Sequence, residues 1–308
     1  MATIETLTCS DSTAVVYRTW MPKDGKVNAL LLMLHGMAEH SARYDEFARH
    51  LVKHKIGVWA PDHRGHGQTA LTANATLGWF AETDGWQRVV DDALELATHI
   101  IEQHPKTPLF LGGHSMGSFL ARTLAAQQPD LFDGLIIIGT GTSKGLLGKI
   151  GRMIATRNVA KHGSTHPDKL MDRMSFGSFN KKINDAKTSF DWLSRDEAKV
   201  KEYNEDPLCG FLCTSGFFVD LLDGVTMAND PQLAARLPSD LPVVIISGSD
   251  DPVGDYGKGV MKVHDLYLGA GIEDLSLSLV EGGRHEVLNE TDRKTTMQYI
   301  SKWIVERI

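Results

Sequence analysis

The 308 residues predict an α/β fold in which a mostly parallel sheet is covered by helices on both faces. Short β-branched or Leu-rich runs alternate with longer amphipathic stretches, the pattern produced by strands and their crossover helices. The run from Ala29 to Leu34 is apolar at every position, as expected of a central strand. A third observation concerns domain organisation. From about Thr140 to Asp230 no strand-like run occurs, and aromatics such as Phe176, Phe190, Trp192 and Phe218 are scattered among glycines and basic residues. Residues 1–140 and 231–308 are therefore expected to form the core, and 141–230 an inserted helical cap.

Taken in order, Val15 to Trp20 reads as an early strand, and the turn residues Lys23, Asp24 and Gly25 suggest a hairpin-like entry into Ala29 to Leu34. Tyr44, Phe47, Ala48, Leu51 and Val52 recur at helical spacing, Ile56 to Ala60 returns to strand, and Val89, Ala93, Leu96, Ala97 and Ile100 form a second helical stripe. Leu109 to Leu111 is a strand. Phe119 to Leu124 lies in a helix ending near Pro129, and Leu135 to Ile138 is another buried strand. Beyond the cap, Val243 to Ser247 and Leu275 to Val280 read as strands, Val260 to Leu268 and Thr296 to Val305 as helices.

Hydrophobic residues at 42% and charged residues at 23% are globular values, which sets disorder aside. A formal charge of −7 is the wrong sign for phosphate binding, so no nucleic-acid partner is expected. Met1 to Tyr17 shows no basic cluster followed by an apolar stretch, and the apolar runs fall short of the roughly 18 residues of a membrane span. Cys9, Cys209 and Cys213 are odd in number and lack C-x-x-C spacing, which suits reduced thiols. The expectation is a soluble cytoplasmic protein; oligomeric state is left open.

Gly113-His114-Ser115-Met116-Gly117 matches G-x-S-x-G, a serine on a sharp strand-to-helix turn with small residues beside it. The match alone is weak, but a strand precedes it and a helix follows. A serine hydroxyl needs a base, and the base needs an orienting acceptor. The order on this fold is Ser, acid, His. His285 follows the last strand through the flexible-looking Glu281-Gly282-Gly283-Arg284, whereas His264 lies inside a helix. The acid is sought after Val243 to Ser247, where Asp251 is favoured over Asp250 and Asp255. The oxyanion of acyl transfer needs two N–H donors. Met116 should supply one, and Met37, in His35-Gly36-Met37-Ala38-Glu39-His40, the other. His35, Glu39 and His40 match no metal spacing, so no metal is expected and a structural loop role is preferred.

Together with Asp62-His63-Arg64-Gly65-His66-Gly67, the Gly248 to Val253 segment and Gly283-Arg284-His285-Glu286, these motifs resemble the monoglyceride lipase and lysophospholipase branch of the serine aminopeptidase-like α/β hydrolases. The likeness spans nearly the whole chain and is looser in the cap. It implies an α/β-hydrolase fold and cofactor-free hydrolysis of small apolar esters. Ala38 departs from the second glycine those lipases often carry. The Asp62 to Gly67 segment reads as a brace for the site.

Leu146, Leu147, Ile150, Met153 and Ile154 follow helical spacing with Lys149, Arg152 and Arg157 interspersed. Such a helix can turn its apolar face to a substrate pocket, the preferred reading, or touch a membrane surface transiently. Two other functions stay open. An aminopeptidase of the proline iminopeptidase kind would need cap carboxylates, with Asp191, Asp196 and Glu197 as candidates, to hold a substrate amine. A non-catalytic small-molecule binding protein could use the same fold.

Overall fold

The computed structural model describes residues 2–308. Eight strands, β1 (Thr3–Thr8), β2 (Ala14–Trp20), β3 (Ala29–Leu34), β4 (Ile56–Pro61), β5 (Leu109–His114), β6 (Gly134–Ile138), β7 (Val243–Gly248) and β8 (Leu275–Val280), form one sheet in the order β1-β2-β4-β3-β5-β6-β7-β8. Neighbours from β4 to β8 are parallel, whereas β2 is antiparallel to both β1 and β4. The helices are α1 (Asp45–Lys53), α2 (Gly67–Thr72), α3 (Gly85–Gln103), α4 (Met116–Gln127), α5 (Leu146–His162), α6 (Lys169–Phe176), α7 (Glu197–Glu205), α8 (Ser215–Ala228), α9 (Pro231–Ala234), α10 (Lys258–Gly269) and α11 (Arg293–Val305).

Side-chain alternation in β3 accounts for the layering. Leu30, Leu32 and Leu34 join the core beneath α3, α4 and α10, while Leu31 and Met33 join the opposite core with Phe47 of α1 and Ile300 of α11. A strand buried on both faces must be apolar throughout, which is why β3 is so plain in the sequence. The expected hairpin into β3 is corrected: β2 pairs with β1, Thr3 opposite Thr19 and Thr8 opposite Ala14, and β4 separates it from β3. β1 was not foreseen because it is an exposed edge strand with no apolar run.

Between β6 and β7 the described residues contain no strand beyond the isolated Pro167–Thr214 bridge. This stretch is not uniform. α8 packs on α3 and α4, and its Phe217 and Phe218 belong to the main core. Arg122 of α4 reinforces that joint. Its buried guanidinium donates to Tyr267 Oη, Thr140 Oγ1, Asn229 Oδ1 and the carbonyls of Gly141 and Ala228, at 2.6 to 3.3 Å, with no carboxylate among these partners. Five acceptors meet five N–H groups, and the Ala228 carbonyl lies at the end of α8, where the helix dipole favours a cation.

Candidate active site

Met37, Ser115, Met116, Asp251 and His285 all lie beyond the carboxyl ends of sheet strands, where open α/β sheets bind ligands. Ser115 follows β5 with φ 53° and ψ −119°, a conformation that costs a non-glycine residue about 1–3 kcal/mol. The surroundings hold it there. Its N–H donates to the Ile138 carbonyl at 2.9 Å, and its own carbonyl accepts from the Ser118 N–H at 2.9 Å and the Ser118 hydroxyl at 2.6 Å. The flanking glycines are obligatory: a Cβ at Gly113 would lie 2.0 Å from the Gly117 carbonyl, and one at Gly117 would lie 2.1 Å from the Leu34 carbonyl.

Asp251, just past β7, is fully buried and takes His285 Nδ1 at 3.0 Å on Oδ2. The Val253 N–H at 2.8 Å and the Ser247 hydroxyl at 3.2 Å also donate to it. With Nδ1 engaged, Nε2 is the free nitrogen of the ring. The neighbouring candidates separate clearly: Asp250 and Asp255 are exposed and neither contacts His285. The Met37 and Met116 N–H groups have no hydrogen-bond acceptor among the described residues, and both residues line, with Ser115 and His285, a cavity of about 960 Å³. Its walls come mainly from the stretch 141–230 and include Met171, Phe176, Phe179, Trp192 and Phe211.

A family model described as serine aminopeptidase, S33, matches residues 25–292. The chain belongs to that family. Among similar proteins, rat monoglyceride lipase is 29% identical, with 97% of this chain and 89% of that protein aligned. The monoacylglycerol lipase of Mycolicibacterium smegmatis is 26% identical over 96% of this chain and 94% of its own. A Bacillus coagulans carboxyl esterase structure superposes with a TM-score of 0.91 at 26% identity, covering 99% of this chain and 98% of that one. The fold of this S33-family chain is thus that of the α/β hydrolases.

Under the site of this S33-family hydrolase lies a buried polar cluster. Glu39 accepts from the Gly36 N–H at 2.6 Å, Tyr44 Oη at 2.8 Å and Arg43 at 2.6 Å. Arg43 also makes a two-pronged bond to Glu286 at 2.6 Å. Burial opposes the charge on Glu39, but Arg43 and His114 hold its carboxyl well below the usual range. His35 spans the same loop, with Nδ1 2.7 Å from the Gly36 carbonyl and Nε2 accepting from the His63 N–H at 3.0 Å; burial pushes its pKa down to about 3, so it is neutral. Arg43 went unremarked in the sequence and Glu286 stood there only as part of a motif with no role of its own, although Arg43 stands four residues from Glu39 and Glu286 directly follows His285. The Asp62 to Gly67 segment braces this loop: Asp62 accepts from the N–H groups of Ser41 and Gln68 and pairs with Arg18.

The loop to His285, expected to be flexible, is pinned by residues 191–194. The His285 and Glu286 N–H groups donate to the carbonyls of Trp192 and Leu193 at 3.3 and 2.7 Å, and Arg284 donates to the carbonyls of Asp191 and Ser194. Trp192 also packs on the His285 ring at 5.1 Å. The three candidate amine-binding carboxylates face elsewhere. Asp191 accepts from Lys187 and Thr188, Asp196 caps α7 and pairs with Arg293, and Glu197 pairs with Lys187; none lines the cavity. Among the described residues no helix is long and apolar enough to cross a membrane.

Proposed function

We propose that this chain hydrolyses carboxylic esters with an apolar acyl chain, of the monoacylglycerol or lysophospholipid kind, through an acyl-enzyme on Ser115. One observation supports the reading most: a strained serine, a histidine bonded to a buried aspartate and two N–H groups without acceptors meet in one largely apolar cavity. Ser115 Oγ attacks the ester carbonyl carbon while His285 Nε2 takes its proton, and Asp251 stabilises the imidazolium. Met37 and Met116 donate to the oxyanion. Collapse expels the alcohol, which receives the proton from His285, and water then releases the acid by the same steps in reverse roles. Similarity to the lipases and the esterase supports the substrate class.

Residues 141–230 act as a cap whose inner side chains receive the acyl chain. Leu146, Met153 and Leu170 are exposed beside Arg152, and Leu147, Met174 and Lys149 are exposed at the cavity rim, which suits transient contact with a lipid surface. The free buried thiols of Cys9, Cys209 and Cys213 suit a cytoplasmic setting.

The test is hydrolysis of p-nitrophenyl esters from acetate to palmitate, with Ser115→Ala alongside. Turnover should peak above acetate and vanish in the variant. Equal rates across chain length would refute the acyl slot. Cleavage of an amino-terminal proline anilide without ester turnover would replace the reading by a peptidase, and no turnover of either by a binding role.

A further inference from the structure

We propose that His114 is a buried imidazolium that positions both the oxyanion loop and the backbone of the catalytic base. Its Nδ1 lies 3.3 Å from Glu39 Oε1 and its Nε2 3.3 Å from the carbonyl oxygen of His285, both within hydrogen-bonding geometry. A carboxylate and a carbonyl can only accept, so each ring nitrogen must bear a hydrogen. A neutral ring would turn a lone pair towards one of those oxygens in a deeply buried compartment, with His114 5%, Glu39 3% and Glu286 4% exposed.

Charge balance points the same way. The groups around the ring are Glu39 and His35 from the loop after β3, Arg43 and Tyr44 from the turn that follows it, and His285 and Glu286 from the loop after β8. Tyr203 and Cys209 approach the same cluster from the cap. His35 is neutral. Arg43 is one cation against two carboxylates, and His114 is the second, so the cluster is electrically closed only when that ring is protonated. Burial works against this charge, yet Glu39 holds the pKa of His114 above the ordinary histidine value.

Glu39 fixes the Gly36 N–H, one residue before Met37, and His114 ties that carboxylate to the residue supplying the base. One ring thereby couples the two halves of the site, which makes His114 a positioning residue. Its contribution is complete at low pH and is lost as pH rises through its raised pKa, when one of the two anchors loses its hydrogen.

The inference rests on Ser115 and His285 being nucleophile and base, so the first readout is independent of turnover. Ring-15N-labelled protein at pH 7.5 should show two protonated ring nitrogens for His114, against one protonated nitrogen in His35. The signal is assigned by its absence in His114→Gln, or in His114→Met if the first variant does not fold. Glu39→Gln should return the ring to the neutral pattern. In kinetics, His114→Gln should lower kcat about ten- to a hundredfold with KM nearly unchanged, and should lack the alkaline loss of kcat expected of the native protein. A neutral His114 ring at pH 7.5, or a variant with native kcat and the same alkaline limb, would overturn the inference. Full ester turnover by Ser115→Ala would instead overturn the nucleophile assignment and leave the ring measurement standing.

Discussion

Replacing Gly117 by alanine tests whether the nucleophile turn and the oxyanion loop form one clamp. The added Cβ would lie 2.1 Å from the Leu34 carbonyl oxygen and 2.6 Å from that of His35, whereas such contacts essentially never fall below 3.0 Å. Both obstacles are backbone, so the first turn of α4 must retreat by about 1 Å, taking the Met116 N–H away from the Met37 N–H. A displacement of that size costs on the order of a hundredfold in rate, comparable to losing one oxyanion donor. Overpacking should add about 1–3 kcal/mol of destabilisation. Steady-state kinetics on p-nitrophenyl butyrate, with thermal unfolding, should therefore show kcat down roughly a hundredfold, KM little changed and a lower Tm. Gly269→Ala is the control, because a Cβ there meets nothing within 4 Å. Native kcat and Tm in Gly117→Ala would refute the clamp.

Asp251→Asn preserves shape but presents an amide to His285 Nδ1, favouring the wrong tautomer; kcat should fall by about 10⁴, and retention of a tenth of the activity would sink the assignment. Ala38 holds a φ of 51°, so Ala38→Gly should relieve about 1–2 kcal/mol of left-handed strain against roughly 0.5–1 kcal/mol of added chain entropy. Urea unfolding should show equal or slightly higher stability, and a clear loss would contradict this. Asp220 of α8 sits against the first N–H groups of α3, and burial, aided by Asp223, pushes its pKa up to about 7. A raised carboxyl costs nothing below the unfolded pKa of 3.8, and its cost grows until it is complete above about pH 7. The Tm gain of Asp220→Asn should rise from pH 4 to 7 and then level; a pH-independent difference would be the contrary result.

Legibility in the sequence followed burial and locality. β3, β6 and β7 were plain because strands covered on both faces leave continuous apolar runs, while β1, exposed at the edge, left none. Ser115 and His285 were accessible because strand order fixes their place. Asp251 is favoured over Asp250 in the sequence, but the contact that separates them, His285 Nδ1 to Asp251, is visible only in coordinates, since adjacent residues in one turn differ only in direction. The Glu39, Arg43, His114 and Glu286 cluster joins three distant segments, and sequence spacing cannot report such a meeting. Helical spacing located the inner side of α5 only in part: Leu147 and Ile150 line the cavity, but the small residues Gly151 and Ala155 are buried while Leu146 and Met153 stay exposed. Close packing on α8 selects small side chains, which a hydrophobic stripe does not reveal.

The stapling of residues 191–194 to the His285 loop bears on how this protein can be re-engineered. Exchanging the whole insertion for that of a relative would discard the carbonyls that hold His285, Arg284 and Glu286, so a chimera cut at the sheet boundaries would misplace the proposed general base. Viable junctions should fall inside the insertion, leaving Asp191 to Arg195 with the recipient. In modular terms, the piece proposed to select the substrate and the piece that holds the His285 loop share a peptide segment, and recombination must respect the latter.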